Sequence, residues 1–105
     1  MIAIIYQFTV KENQTKDFMK AWKEMTQLIY EYENSLGSRL HKKDAHTFIA
    51  YAQWPDVYTF ENAGGKLPAK ASVLRNKMRE ACEKIEKLYQ LELVEDLCKQ
   101  KQFGK

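Results

Sequence analysis

The stretch that decides the fold runs from residue 35 to residue 60 and reads SLGSRLHKKDAHTFIAYAQWPDVYTF. Residues 38–42 and 47–54 are two strand-like runs with a short polar turn between them, and so short a connection predicts an antiparallel hairpin. Alternation along the second run gives it two faces. One face holds Phe48, Ala50, Ala52 and Trp54, and the other holds Thr47, Ile49, Tyr51 and Gln53.

Pro55 marks the end of this hairpin. A proline disfavours helical backbone in the residue before it, here Trp54, and suits the first turn of a new helix. We therefore expect a short helix over residues 56–63, which the Gly64-Gly65 pair ends.

The chain before the hairpin predicts one strand and one long helix. Residues 1–10 alternate, but both faces are at least half apolar, so a central strand covered on both sides is expected. Apolar residues then recur at spacings of four and three between about residues 14 and 33, which is typical of an amphipathic helix. This stripe consists of Phe18, Trp22, Met25, Ile29 and Tyr32. Asn13 is the expected N-cap, and Gly37 is free to take a positive φ after the helix.

The chain after the hairpin predicts a second helix and a last strand. Pro68 opens an apolar pattern with helical spacing that extends to about Leu88. Its members are Ala71, Leu74, Met78, Ala81, Ile85 and Leu88. Residues 89–98 then predict a strand, with a bulge or strand end near Val94 and Leu97, where the alternation breaks.

This order of elements predicts an α+β, ferredoxin-like βαββαβ fold. Each long helix has a single apolar stripe, so both helices are expected on one face of a four-stranded antiparallel sheet. The other face would expose a large apolar patch on a monomer. A two-fold homodimer formed through this open sheet face would bury the patch.

Length and charge indicate a single domain over residues 1–98, followed by a basic tail over 99–105 that we expect to be frayed. The net charge of +3 resides in the tail, which holds Lys99, Lys101 and Lys105 without an acid. The domain itself therefore has 14 basic and 14 acidic residues, and no nucleic-acid partner is expected.

No apolar run is long enough to span a bilayer, so no membrane partner is expected either. Residues 1–10 lack the features of a signal peptide.

The residues that usually bind metals or cofactors do not form a recognisable motif. Cys82 and Cys98 are too far apart for a metal knuckle, and we expect two free thiols in a reducing, cytoplasmic setting. His41 and His46, with Asp44 between them, are expected to be surface residues rather than a metal site. No phosphate-binding loop or serine nucleophile motif is present. We therefore expect no metal and no cofactor.

Over about residues 2–93 the chain resembles the antibiotic biosynthesis monooxygenase (ABM) domain family of dimeric α/β-barrel proteins. The resemblance rests on the first strand ending at Val10, the helix with Phe18 and Trp22, and the motifs LGSRL (36–40) and FIAYAQWPD (48–56). It implies a dimeric α/β barrel. Members of the family include oxygenases that act on activated phenols and quinols without metal or flavin, haem-degrading oxygenases, and enzymes that process small signalling molecules.

The resemblance does not extend to the haem-degrading branch. That branch has an asparagine on the first strand, a tryptophan, and a histidine on the later helix. Here the first strand offers Gln7, residues 68–88 contain no histidine, and Trp54 alone matches.

Cofactor-free oxygenation needs an apolar cavity, hydrogen-bond donors for a developing anion, and a base. Arg39 and His41 lie on one face of their strand by the period of two. Arg39 is expected to stabilise an anion, and His41 is the expected base, because imidazole titrates near neutral pH. The residues expected to line the substrate pocket are Trp54, Tyr51, Tyr58, Phe60, Tyr6 and Gln7.

Structural roles for these residues stay open at this point. Trp54 would equally anchor the core where the strand meets the short helix, Tyr51 would fit a subunit interface, and Arg39 and His41 would fit a solvated edge. The first hypothesis is a cofactor-independent monooxygenase for a small aromatic or quinol-like compound. The alternatives are a non-catalytic dimeric ligand-binding or accessory domain, and an isomerase-type enzyme for a small metabolite.

Overall fold

The computed structural model of the chain describes residues 1–98. Four strands and three helices follow one another as β1 (Ile2–Val10), α1 (Thr15–Tyr32), β2 (Gly37–Lys42), β3 (Thr47–Trp54), α2 (Val57–Glu61), α3 (Lys70–Glu80) and β4 (Cys82–Glu92). The strands form one sheet in the order β2-β3-β1-β4, and every neighbouring pair is antiparallel. The predicted α+β, ferredoxin-like fold is therefore confirmed.

The largest core cluster lies between the sheet and the helices. The Phe18 ring on α1 is fully buried, with its centroid 5.0 Å from that of Phe8 and 5.4 Å from that of Phe48. Val10, Ala50, Ala81 and Cys82 complete the cluster. Burial raises the pKa of the Cys82 thiol to about 11, so this thiol behaves as a small apolar group.

A second cluster fills the end of the sheet where β3 meets α2. Trp54 is only 5% exposed and packs with Ile2, Ile4 and Ala52. The Phe60 ring of α2 meets the Trp54 ring edge-on, with the centroids 5.5 Å apart. Trp54 therefore anchors the strand-to-helix corner.

The start of α2 depends on a single side-chain cap. Asp56 Oδ1 accepts a hydrogen bond from the Thr59 backbone N–H at 2.7 Å, and this bond lowers the pKa of the carboxyl. Because the pKa is lower in the folded state, the stabilisation is present above the unfolded-state pKa and disappears as pH falls through the folded-state pKa.

We expect Asp56→Ala to lower the melting temperature by roughly a few degrees at neutral pH, because one helix donor loses its partner. The difference from the wild type should shrink on acidification. Thermal melts from neutral to acidic pH check this, with Glu12→Ala as the control, because Glu12 is an exposed carboxylate in the turn after β1. A difference that grows on acidification would contradict the cap.

The C-terminal half differs from the sequence prediction. The predicted helix over 68–88 is wrong beyond residue 80, because α3 ends at Glu80 and the predicted helical residues Ile85 and Leu88 belong to β4. The reason is non-local: β4 pairs with β1 from Val10↔Cys82 to Ile2↔Glu92 and so satisfies the free backbone edge of β1.

The predicted end of the last strand also needs correction. β4 stops at Glu92, and the last hydrogen bond that joins its end to β1 runs from the Leu93 N–H to the Met1 carbonyl, at 3.0 Å. The predicted break near Val94 is therefore the strand end and not a bulge. The register shifts of this strand pair lie between Ile5 and Tyr6 and between Thr9 and Val10. The predicted frayed tail over 99–105 lies outside the described residues.

The two ends of α1 show one wrong and one confirmed prediction. Asn13 is not the N-cap: its φ is +66°, and Gln14 occupies the cap position without a side-chain hydrogen bond. Gly37 has the predicted positive φ, +104°, and Asn34 shares this conformation at +62°.

Candidate functional site

The sheet face that points away from the helices, the open face, carries three rows of side chains across neighbouring strands. Paired residues of antiparallel strands lie on the same face, so the register defines each row. In the strand order β2, β3, β1, β4, the rows are Gly37, Gln53, Ala3 and Leu91; then Arg39, Tyr51, Ile5 and Tyr89; then His41, Ile49, Gln7 and Glu86.

A cavity of about 1590 Å³ lies over this face. Its floor includes Ile5, Ile49 and Tyr51 of the open face. Its walls come from the end of α1 with the turn that follows it, and from the segment after β4, which we call the C-terminal segment (residues 93–98). This volume exceeds the roughly 300–1,000 Å³ of a typical small-molecule pocket. A single copy of the chain does not enclose it, because the cavity is open to solvent opposite the sheet.

Arg39 and His41 project from β2 toward this cavity. Arg39 is paired with Tyr51 and His41 with Ile49, and all four residues line the cavity. Both basic side chains belong to exposed residues, and neither takes part in the ion pairs formed within residues 1–98. The cavity therefore has a guanidinium, an imidazole and a phenol among the side chains that the sheet contributes to it.

Gln53 of β3 also lines the cavity, and it was not among the residues predicted to do so. It is 8% exposed, and its Nε2 donates to Tyr51 Oη at 3.3 Å. The available signal was its position on the mixed face of the second hairpin strand, two residues from Tyr51, because residues i and i+2 of a strand share a face.

Two backbone-directed bonds fix the turn that lines the cavity beyond α1. Ser35 is buried, and its Oγ accepts a hydrogen bond from the Gly37 N–H at 2.9 Å. The buried Glu33 carboxylate accepts from the Lys66 N–H at 2.8 Å and so ties the turn to the loop after α2. These two hydrogen bonds therefore hold this part of the cavity rim in place.

The remaining predicted pocket residues lie elsewhere. Gln7 is on the open face, where it donates to Glu86 at 3.2 Å, but it does not line the cavity. Tyr58 of α2 is 76% exposed. Tyr6, Trp54 and Phe60 are packed on the helix side of the sheet.

The sheet therefore separates the predicted site residues into two groups. Arg39, His41 and Tyr51 share the open-face cavity, whereas the helix-side aromatics belong to the core. Burial raises the pKa of the Tyr6 hydroxyl. Lys87, the β4 partner of Tyr6, lies on the same helix side, and its ammonium is 5.5 Å from the centroid of the Phe60 ring.

The described part of the chain lacks a metal-binding cluster and a membrane-spanning helix. Within residues 1–98, no three His, Cys, Asp or Glu side chains come together as a metal site would require. None of the helices over the same range has the length and apolar character needed to cross a membrane.

Comparison with known proteins gives a family and a set of similar folds. The sequence model of the family described as antibiotic biosynthesis monooxygenase matches residues 1–65. No curated protein matches the sequence. The N63A mutant of SnoaB, a cofactor-independent oxygenase from Streptomyces nogalater, is similar in structure with a TM-score of 0.73 at 14% identity, covering 91% of this chain and 95% of that one.

A second similar structure is Rv0793 from Mycobacterium tuberculosis. Its TM-score is 0.69 at 10% identity, and the match covers 92% of this chain and 98% of that one. At such low identities the likeness establishes the fold alone.

Proposed function

The chain belongs to the antibiotic biosynthesis monooxygenase family, and on this basis we propose that it is a cofactor-independent monooxygenase for a small aromatic or quinol-like compound. The supporting observation is that Arg39, His41 and Tyr51 line the open-face cavity from the sheet. SnoaB, a similar structure, is a cofactor-independent oxygenase. The cavity residues and the similarity to SnoaB together support the proposed function.

The proposed reaction needs only the substrate and oxygen. His41 removes the proton of a phenolic hydroxyl, and Arg39 stabilises the phenolate that forms. The electron-rich ring then reduces O₂. One oxygen atom bonds to the ring, the other leaves as water with two hydrogens from the substrate, and the product is a quinone. Because the substrate supplies all four electrons that reduce O₂, the balance of phenol plus O₂ to quinone plus water requires no external reductant.

The proposal includes a homodimer formed through the open face. Tyr89 and Leu91 of this face are 59% and 47% exposed, and Leu97 of the C-terminal segment is 85% exposed. A second copy would remove this apolar surface from water. It would also close the cavity, and reactive oxygenated intermediates need a site that excludes water.

Tyr89→Glu is expected to convert a dimer into monomers at micromolar concentration, because it places a charge on the apolar open face. Sedimentation equilibrium measures the change. Tyr58→Glu is the matched control, since Tyr58 is an exposed tyrosine of α2 outside the cavity. A wild-type protein that sediments as a monomer at this concentration would exclude the dimer.

Oxygen uptake tests the proposed activity. The purified protein, treated with a metal chelator, is given a panel of hydroquinones and polyphenols while oxygen consumption and product mass are followed. We expect one O₂ consumed for each quinone formed. A panel in which every compound binds and none consumes oxygen would remove the oxygenase proposal.

One observation favours a second candidate function. The carboxylates of Glu31, Glu95 and Asp96 line the same cavity as His41. Carboxylates and an imidazole that line one cavity can move protons on a polar substrate, as an isomerase-type enzyme requires. Binding without oxygen uptake, together with exchange of substrate hydrogens for solvent deuterium, would favour this candidate. Binding without either reaction would favour a non-catalytic ligand-binding domain.

A further inference from the structure

We propose that the C-terminal segment of each copy crosses to the second copy of the homodimer and packs against its basic hairpin, residues 39–46. The proposal rests on the proposed function, of which the homodimer is a part. It names the segment that each copy contributes and the surface that receives it. Each open-face cavity is then completed by residues of the other copy.

The C-terminal segment carries apolar side chains that its own chain leaves in water. Val94 is 89% exposed and Leu97 is 85% exposed. The segment is nevertheless anchored where it begins, because the Leu93 N–H donates to the Met1 carbonyl at 3.0 Å. Exposed apolar residues grouped on one anchored segment mark a surface for interaction with another protein.

The C-terminal segment and the basic hairpin have opposite charges. The segment contains Glu95 and Asp96 and no basic residue. The hairpin contains three basic residues and one acid, which are Arg39, Lys42, Lys43 and Asp44. Surfaces of opposite charge attract each other, and the arrangement of their charges fixes the register in which they meet. The charges therefore point to the hairpin as the surface that receives the segment.

The basic hairpin is available to a second copy. Lys42 and Lys43 are exposed, and neither forms an ion pair within residues 1–98. In the sheet formed by these residues, β2 is an edge strand that pairs with β3 alone. An edge strand has a row of unpaired backbone N–H and C=O groups, to which an extended segment can bond. The hairpin thus offers a partner both charge and backbone hydrogen bonds.

The hairpin of the same chain is poorly placed for the C-terminal segment. The segment follows β4, and β4 and β2 are the two edges of the sheet, with β1 and β3 between them. Three strand spacings separate these edges by roughly 14 Å. Glu95 forms no ion pair within residues 1–98. Because the segment is a wall over the open face, its outer side meets the other copy when two open faces pack together.

The exchange of segments completes the cavity of each copy. In a single copy the cavity is open to solvent opposite the sheet. The C-terminal segment of the other copy covers this opening beside the hairpin that carries His41, and so excludes water from the site. The site is therefore incomplete in a monomer.

Charge reversal tests the contact between the two copies. One variant carries Glu95→Lys with Asp96→Lys, and the other carries Lys42→Glu with Lys43→Glu. Each variant alone brings like charges together at both contacts of a two-fold dimer, so each should dimerise roughly tenfold to a hundredfold more weakly than the wild type. An equimolar mixture should restore dimers, because both contacts of the mixed dimer again join opposite charges. Sedimentation equilibrium of the full-length proteins, alone and mixed, measures this.

Lys16→Glu with Lys23→Glu is the matched control for the hairpin variant. Both residues are exposed lysines of α1, and the change in net charge is the same. This control should dimerise as the wild type does. Circular dichroism establishes that each variant is folded. If a double variant does not fold, Glu95→Lys and Lys42→Glu are used as single variants in the same way.

Two results would overturn the proposal. Charge-reversed variants that each dimerise as tightly as the wild type would show that the segment and the hairpin do not meet. A mixture that dimerises as weakly as its components would show that the segment does not contact the hairpin of the other copy.

The failure of this proposal can be told apart from the failure of the proposed function. Dimers restored in the mixture, without oxygen uptake by any phenol, would remove the oxygenase function and leave the exchanged segments. Oxygen uptake by a wild-type dimer that neither variant weakens would remove the exchange and leave the function.

Discussion

The Phe18→Ala variant is expected to lose about 3–5 kcal/mol of its free energy of unfolding, the usual cost of deleting a buried aromatic ring. Phe18 is fully buried and lies between the rings of Phe8 and Phe48, so its loss leaves a cavity where α1 meets β1 and β3. Domains of this size are stable by about 5–15 kcal/mol. The variant should therefore be marginally folded.

Urea denaturation followed by circular dichroism measures this loss. Met19→Ala is the matched control, because Met19 is the next residue of α1 and is exposed. A change below about 1 kcal/mol in Phe18→Ala would be typical of a surface site and would contradict the packing of α1 against the sheet.

The His41→Gln variant is expected to lower kcat for phenol oxygenation by about 10²–10⁴-fold, the usual contribution of a general base. His41 lines the open-face cavity on the same strand face as Arg39. Glutamine keeps a polar side chain of similar reach but cannot take up the substrate proton. The loss should become smaller as pH rises, because a larger fraction of the phenol is then already ionised.

Oxygen consumption at several pH values measures this effect. His46→Gln is the matched control, because His46 is the other histidine of the hairpin and lies outside the cavity. Its loss should leave the rate unchanged. Equal rates for His41→Gln and the wild type over the whole pH range would exclude His41 as the base.

The fold could be predicted from the sequence wherever short-range patterns decide the structure. The alternation of residues 47–54 and the position of Pro55 predicted the bounds of β3 correctly, Thr47–Trp54. The periodicity of residues 14–33 gave α1 within one residue at each end. These signals are local, because each depends on residues a few positions apart.

The boundary between α3 and β4 could not be found in this way. Ile85 and Leu88 continue the helical spacing, and nothing local ends the helix at Glu80. What ends it is pairing with β1, more than 70 residues away in the sequence, and the Lys11 N–H donates to the Ala81 carbonyl at 2.9 Å at the junction. Tertiary pairing overrode the local pattern.

The candidate site could be predicted in part. The period of two places Arg39 beside His41, and it also places Tyr51 and Trp54 on opposite faces of β3. The position of Arg39 opposite Tyr51 needs the hairpin register, which alternation alone does not give. The C-terminal segment became a cavity wall only because β4 ends at Glu92.

The proposed substrate site lies on the open face, and a crystal structure of the protein with a bound phenol would show whether the substrate binds there. We expect electron density for the phenol over the open face, with its oxygen within hydrogen-bonding distance of Arg39 and the Tyr51 hydroxyl and its ring near Ile49. Density for the phenol on the helix side of the sheet, beside Trp54 and Phe60, would exclude the proposed site.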